Sequence, residues 1–222
     1  MSEYAMDYEA ARLHMVDSQL KTNRVTQVAV LEAFENVPRE KFVPDHRKGV
    51  AYIDEDLKVA EGRYLMEPMV LARLVQAAAI RPSDVVLDIG CATGYSSAIL
   101  AKLAGTVVAL ESDESLGSTA ADLCERLGID NVVVVSGELP DGYPKQAPYD
   151  AILINGAVSE VPEPIADQLA DGGRLVTVQR GPSGVGQGVL MERFEKTVSR
   201  WPLFDAATPF LPGFRKEPGF VF

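Results

Sequence analysis

The stretch that decides the fold is VVLDIGCATGYSSAIL, residues 85–100. Its first five residues are mostly apolar and β-branched, which is typical of a buried strand. Glycines follow at Gly90 and Gly94, and the segment SSAILAKLAG (96–105) predicts a helix that ends at a glycine. A buried strand that leads through a glycine-rich turn into a helix is the first unit of a parallel α/β sheet.

The same alternation continues downstream. Further strands are predicted at 106–112, 131–137, 149–156 and 174–180, and further helices at 115–128 and 162–173. Apolar runs that alternate with helices indicate a sheet covered on both faces. We therefore predict an α/β fold with a doubly wound, Rossmann-like and mostly parallel sheet. The segments 188–194 and 199–210 have no helix between them and predict an antiparallel C-terminal hairpin.

Upstream of the sheet the sequence is mainly helical. Helical periodicity predicts helices at 8–20, 26–37 and 68–80. Residues 45–67 lack a clear period, and a loop of this length in a compact domain is commonly functional. We expect two parts in one compact unit: an N-terminal helical cap with a substrate loop (1–67) and a cofactor-binding part (68–222).

Charge and composition limit the classes of function. The 222 residues include 21 Lys or Arg and 32 Asp or Glu, a net charge of −11. Binding to nucleic acid or anionic lipid needs clustered cations, so we expect no nucleic acid and no membrane among the partners. The N-terminal segment lacks the apolar core of a signal peptide, and no apolar run approaches the roughly 18 residues that span a bilayer. Cys91 and Cys124 form no metal-type pair, so we expect no metal and a reducing, cytoplasmic location.

The residues around the glycine turn indicate which ligand it can hold. The dinucleotide pattern G-x-G-x-x-G, begun at Gly90, fails because Ala92 and Tyr95 stand at its second and third glycine positions. A Walker phosphate loop also fails, since no G-K-[ST] follows. The pattern present is D-x-G-x-x-x-G, formed by Asp88, Gly90 and Gly94. A carboxylate at the end of the strand repels phosphate and favours a ligand that carries an ammonium or sulfonium group.

Two later strands end in further polar residues. Glu111 ends the second strand, at the place where a carboxylate accepts the ribose hydroxyls of an adenosine. Gly137 and Glu138 follow the third strand, where they can meet an adenine edge. Together these residues predict a site for S-adenosylmethionine. The residues predicted to bind this cofactor are Asp88, Gly90, Cys91, Gly94, Glu111, Ser112, Gly137, Glu138 and Asn155.

The chain as a whole resembles the protein-L-isoaspartate O-methyltransferases. The specific parts of the likeness are MVDSQLKTNRVTQVAVLEAFENVPREKFVP (15–44), which is similar to the family's helical cap, and AYIDEDL (51–57), which is similar to the start of its active-site loop. The tail around TPFLPGF (208–214) is similar to its closing segment. The resemblance implies methyl transfer from S-adenosylmethionine to the isoaspartyl carboxylate of a damaged protein or peptide, which begins its repair. The sequence leaves a monomer and a homodimer open.

The likeness breaks at one loop. The family pattern there is glycine, glutamine, threonine, isoleucine, serine, glutamine, proline, and this chain has GRYLMEP at 62–68. Tyr64 replaces the threonine and Met66 replaces the serine, so a hydroxyl gives way to a thioether that accepts hydrogen bonds only weakly. Arg63 can instead bind the carboxylate of the acceptor, and Tyr64 can donate through its hydroxyl. Arg63, Tyr64 and Met66 are therefore the candidate catalytic residues.

Three functions remain open at this point. The first is an isoaspartyl methyltransferase. An isoaspartyl carboxylate is already ionised near pH 7 and needs no general base, so the missing serine does not forbid the chemistry. The second is a methyltransferase of the same fold that acts on a small-molecule acceptor, for which Tyr64 and Met66 have reshaped the pocket. The third is a protein that binds the cofactor without catalysis.

Overall fold

The computed structural model describes residues 7–181 and 185–216. Its helices are Tyr8–Met15 (α1), Val28–Asn36 (α2), Pro68–Ala78 (α3), Tyr95–Ala101 (α4), Glu114–Arg126 (α5) and Glu163–Ala166 (α6). Its strands are Leu57–Ala60 (β1), Arg63–Leu65 (β2), Val85–Ile89 (β3), Thr106–Glu111 (β4), Val132–Ser136 (β5), Tyr149–Val158 (β6), Leu169–Gln179 (β7), Gly186–Phe194 (β8) and Thr197–Ala206 (β9).

Seven of these strands form the main sheet, in the order β5-β4-β3-β6-β7-β8-β9. The first five in this order are parallel, and β8 and β9 pair antiparallel to β7 and to each other. The predicted mostly parallel sheet with an antiparallel C-terminal hairpin is therefore confirmed. The order of strands reverses between β3 and β6, and ligands of such sheets bind at the carboxyl ends of the strands at this switch point.

The N-terminal cap packs over one face of α3 and α4. After α1 the chain continues through a π-helical turn at Val16–Leu20 and a 3-10 turn at Lys21–Asn23. The rings of Phe34 and Phe42 both meet the ring of Tyr95 edge to face, with centroids 6.2 and 5.5 Å away. Because Tyr95 lies in the first turn of α4, these aromatic contacts fix the cap against the helix that follows the glycine turn. One continuous apolar core joins the cap to the sheet.

The substrate loop contains a small hairpin. Strands β1 and β2 pair antiparallel, with Leu57 opposite Leu65 and both side chains buried. The guanidinium of Arg39, which is fully buried, donates through Nε to the carbonyl of Ala51 (2.8 Å) and through Nη2 to the carbonyl of Met66 (3.0 Å). The cap therefore holds both ends of this loop through one side chain.

The predicted helix at 162–173 is wrong over most of its length. Helix α6 ends at Ala166, and β7 already pairs with β6 at Leu169. A bulge separates that pairing from the next, at Arg174, and Gly172 and Gly173 lie within it. A side chain at Gly173 would place its Cβ only 2.8 Å from the carbonyl oxygen of Ala170. The two glycines therefore permit a bulge in the strand and do not mark the end of a helix.

Among the residues that the structure describes, no helix is both long enough and apolar enough to cross a bilayer.

Candidate functional site

The glycine turn lies at the carboxyl end of β3, beside the switch point. Gly90 and Gly94 have φ angles of 81° and 92°, which residues with a Cβ rarely adopt. A Cβ at Gly94 would also lie 3.0 Å from the Cβ of Ala120 in α5. The backbone N–H of Gly90 donates to the carbonyl of Leu110 (2.8 Å), which ties the turn to β4. The two glycines therefore allow the tight passage from β3 into α4.

Asp88 in β3 and Asn155 in β6 are linked by hydrogen bonds through Ser96. Ser96 and Ser97, in the first turn of α4, each donate to Asp88 Oδ2 at 2.6 Å. Asn155 Nδ2 donates to Ser96 Oγ at 2.8 Å. The other oxygens, Asp88 Oδ1 and Asn155 Oδ1, are buried and have no hydrogen-bond partner among the described residues. The site therefore offers two buried acceptor atoms that no donor in the described part of the chain satisfies.

Burial controls the ionisation of Asp88. It raises the pKa of this carboxyl to about 6, against the opposing effect of the two serine hydroxyls. The negative charge of Glu111 adds to the rise. A cationic group at the free oxygen would stabilise the ionised form, so this site favours positively charged ligand groups.

Glu111 ends β4 and is almost fully buried. Its Oε1 accepts from the backbone N–H of Ser112 (2.8 Å) and of Asp113 (3.1 Å). Its Oε2 accepts from the N–H of Ala92 (2.8 Å) in the glycine turn and from the guanidinium Nη2 of Arg63. Both oxygens of Glu111, the carboxylate predicted to accept ribose hydroxyls, are thus hydrogen-bonded to protein donors.

Arg63 is the residue whose position the sequence did not predict. It is the first residue of β2, and its side chain is only 5% exposed because it reaches into the site and pairs with Glu111. If Gly90 carried a Cβ, that atom would lie 3.3 Å from Arg63 Nη1 and 2.8 Å from Leu211 Cδ1. The guanidinium and the Leu211 side chain therefore fill the space directly beside the glycine turn. Sequence reasoning placed Arg63 at an acceptor carboxylate, whereas here it binds a carboxylate of the protein.

Tyr64 and Met66 line a small cavity between the substrate loop and β6. Its volume is about 10 Å³, room for one water molecule, and Asn155 and Gly156 from β6 form part of its wall. Met66 is 2% exposed and also packs in the main core. The three candidate loop residues are therefore near the predicted cofactor residues, in a closed arrangement.

The chain's tail covers the site from the other side. Residues Thr208 to Leu211 run beside the end of β6, where the N–H of Ala157 donates to the carbonyl of Pro209 (2.8 Å) and the N–H of Leu211 donates to the carbonyl of Ala157 (2.9 Å). Leu211 thereby lies over both Gly90 and Gly156, each of which would clash with it if it carried a Cβ. The tail and the loop together close the switch point.

The remaining predicted cofactor residues lie at the rim or in the wall. Cys91 is fully buried, and burial raises the pKa of its thiol well above the ordinary value, so it packs as a small apolar residue. Ser112 and Glu138 are exposed at the ends of β4 and β5. Gly137 is half-buried and would meet Leu110 at 3.2 Å if it carried a Cβ.

Sequence reasoning missed three residues of this site. Ser96 and Ser97 carried a signal, because two hydroxyls in the first turn of an otherwise apolar helix need a polar partner. Leu211 carried none, since its role depends on where the tail returns to the sheet. No group of three or more His, Cys, Asp or Glu side chains able to hold a metal ion occurs in the described part of the chain.

Comparison with known proteins assigns the chain to a family. Residues 11–198 match the sequence model of the protein-L-isoaspartate(D-aspartate) O-methyltransferases. The chain belongs to this family. A protein-L-isoaspartate O-methyltransferase of Roseiflexus castenholzii is 37% identical over 192 residues, which cover 86% of each chain. The resemblance inferred from the sequence is thereby confirmed.

Solved structures of family members share the fold. A protein-L-isoaspartate O-methyltransferase superposes with a TM-score of 0.78 and 25% identity, over 92% of this chain and 66% of the solved one. A Plasmodium falciparum beta-aspartate methyltransferase, solved in complex with S-adenosyl-L-homocysteine, has a TM-score of 0.72 and 22% identity, over 90% of this chain and 97% of its own. The chain therefore has the fold of solved members of this family over most of its length.

Proposed function

We propose that this chain transfers a methyl group from S-adenosylmethionine to the carboxylate of an isoaspartyl residue in a protein or peptide. Membership of the family supports the reaction. The observation in the site that carries the proposal is the pair of buried, unsatisfied acceptors, Asp88 Oδ1 and Asn155 Oδ1, at the switch point of the described sheet. Unsatisfied buried polar atoms are costly, so a pair of them at this location points to a ligand with donor groups.

The residues present fit this cofactor. The ammonium of its methionyl part supplies the donors that Asp88 and Asn155 lack, and the Glu111 carboxylate is of the right kind to accept ribose hydroxyls. Arg63 and Leu211 fill the space beside Gly90 in the closed arrangement. Movement of these two side chains is therefore part of the proposal.

The bound cofactor supplies an electrophilic methyl group: an acceptor carboxylate oxygen forms the new C–O bond while the S–CH₃ bond breaks, and its electron pair stays on sulfur to leave S-adenosylhomocysteine and a methyl ester. The protein's task is to align the acceptor and exclude water, because such a displacement needs little covalent help. We assign this task to Met66 and Tyr64, because both line the cavity beside Asn155.

A second acceptor class has one observation in its favour. Met66 stands where the family pattern has a serine, and its buried thioether lines the cavity in place of a hydroxyl. A less polar, small-molecule acceptor would suit this wall better than a carboxylate does. This alternative keeps the cofactor and the residues that hold it.

Two broader features belong to the proposal. We assign residues 1–67 to the cap and substrate loop and residues 68–222 to the cofactor-binding part, and the core shared by the described residues of both parts supports one compact unit. We place the activity in the cytoplasm, since Cys91 and Cys124 are both buried free thiols, as expected in a reducing compartment.

The test uses the full chain, S-adenosylmethionine with a labelled methyl group, and an isoaspartyl peptide. We expect a base-labile methyl ester on this peptide and none on the matched peptide with an ordinary aspartate. A peptide with D-aspartate examines the second substrate in the family's description. If no peptide is methylated while a metabolite panel is, the small-molecule alternative replaces the main proposal. The absence of transfer to every acceptor rejects both.

A further inference from the structure

The ion pair between Arg63 and Glu111 links the substrate loop directly to the predicted cofactor site. Arg63 belongs to β2 of the loop, and Glu111 belongs to the end of β4 in the sheet. Their side chains are 5% and 1% exposed. Among the described residues, Glu111 is the one carboxylate that pairs with this guanidinium. Arg63 Nε has no hydrogen-bond partner there.

Glu111 has no free position for a further donor. A carboxylate has about four lone-pair positions. The backbone N–H groups of Ala92, Ser112 and Asp113 occupy three, and the hydroxyl of Ser112 makes a longer contact with Oε1 (3.4 Å). Arg63 occupies the fourth, at Oε2, from a side chain that can rotate away. A ribose hydroxyl can therefore reach Oε2 of Glu111 only by displacing Arg63.

A displaced Arg63 needs another anion. Its guanidinium is a cation, and an unpaired charge in a buried position is strongly unfavourable. The next residue of the loop, Tyr64, lines a cavity with Met66 and Asn155, and the proposed function assigns the acceptor to this side of the loop. Asp56 also lines this cavity, and its Oδ1 accepts the backbone N–H of Glu67 (3.0 Å). Burial raises the pKa of this carboxyl, so Asp56 is a weaker partner for a guanidinium than the fully ionised carboxylate of the acceptor.

We propose that Arg63 exchanges partners during the reaction, from Glu111 in the free protein to the carboxylate of the acceptor once the cofactor is bound. This inference rests on the proposed function and extends it. Arg63 becomes the residue that recognises the acceptor's negative charge, in a position where the family pattern has an uncharged glutamine. The exchange also makes binding ordered, because the acceptor finds a free guanidinium only after the cofactor has taken Glu111.

The experiment measures binding by calorimetry, with S-adenosylhomocysteine and an isoaspartyl peptide as probes. In the wild-type chain, saturating S-adenosylhomocysteine is expected to tighten peptide binding by about tenfold or more, the factor for one charge-assisted hydrogen bond. Arg63→Gln removes the competitor at Glu111, so it is expected to bind S-adenosylhomocysteine about tenfold tighter and the peptide weaker. The coupling between the two ligands should disappear.

The opposite signs separate this role from a structural one, since a variant that merely disturbs the fold weakens both ligands. Arg73→Gln is the matched control, because Arg73 packs on the ring of Phe204 away from the site and is expected to change neither constant. Arg63→Lys serves if Arg63→Gln does not fold, and should show the same signs with smaller factors. Unchanged or weaker S-adenosylhomocysteine binding in the Arg63 variant that folds overturns the inference.

The outcomes also distinguish this inference from the proposed function. If both ligands bind with the expected coupling but no methyl ester forms, the exchange stands and the reaction is wrong. If the ester forms while the Arg63 variants bind S-adenosylhomocysteine as the wild type does, the reaction stands and the exchange is wrong. Failure of every variant to bind S-adenosylhomocysteine rejects both.

Discussion

Replacing Asp88 with asparagine should stabilise the free protein while it weakens cofactor binding. Asp88 is fully buried, and its pKa is raised to about 6 from the ordinary 3.8. At about 1.4 kcal/mol per pH unit, the ionised side chain destabilises the folded state by about 3 kcal/mol above pH 7. An amide carries no such charge, but one of its two polar atoms loses its fit to the serines, so we expect a net gain of about 1–2 kcal/mol at pH 8.

The sign of the pH dependence follows from the raised pKa. The folded protein binds this proton more tightly than the unfolded chain, so the contribution of Asp88 to stability is greatest below pH 4 and is lost as pH rises through about 6. At pH 4 the carboxyl is protonated in the folded protein and only the misfit of the amide remains, so Asp88→Asn should be about 1 kcal/mol less stable than wild type there. The difference should rise with pH, change sign between pH 4 and 6.5 and stay constant above that range.

The assay is urea unfolding of both proteins over this pH range, together with calorimetry of S-adenosylhomocysteine at pH 8. Loss of one charge-assisted hydrogen bond to the ligand's ammonium should weaken binding by about 10- to 100-fold. If the variant is instead less stable at pH 8, or if its stability difference does not change with pH, then burial does not destabilise the ionised form of Asp88 and the reasoning fails.

Three further replacements examine other parts of the molecule. Arg174→Met leaves the buried carboxylate of Asp84 without its partner at 2.5 Å, so the free energy of unfolding should fall by about 3–5 kcal/mol; a loss below about 1 kcal/mol would contradict this. Glu67 has a pKa raised to about 7, mainly by burial and then by the charge of Asp54, so its ionisation destabilises the fold as pH rises. Glu67→Gln should therefore gain about 1 kcal/mol at pH 8, after allowance for its partial exposure, and nothing at pH 4.5; equal gains at both values would argue against it. The thiol of Cys91 should not react with Ellman's reagent until urea unfolds the chain, and rapid labelling of the native protein would show that it is accessible.

The sheet could be predicted because its signals are local. The run at 85–89 and the glycines after it specify a strand, a turn and a helix within sixteen residues, and the same pattern repeats downstream. The predicted helix at 162–173 failed for a non-local reason. Pairing with Tyr149 in β6 draws Leu169 into a strand, and the two glycines that resemble a helix end permit the bulge.

The site could be predicted only in part, for the same reason. Asp88 and Glu111 stand at the ends of buried strands, where sequence position alone brings side chains to one edge of the sheet. The contact between Arg63 and Glu111 joins residues 48 positions apart in the chain, through a loop without periodicity. Its prediction would require knowing how the loop folds back over the sheet. The roles of the predicted site residues stay predictions until binding is measured.

The return of the tail to β6 has a consequence for how the protein is made. Leu211 lies over Gly90 and Gly156 and is synthesised late. The substrate loop, the glycine turn and Asp88 with its two serines are all synthesised well before it. A nascent chain can therefore assemble the sheet edge while the space beside the glycine turn is still open to solvent on that side. The pocket takes its closed shape only when the segment from Thr208 to Leu211 leaves the ribosome and pairs with β6.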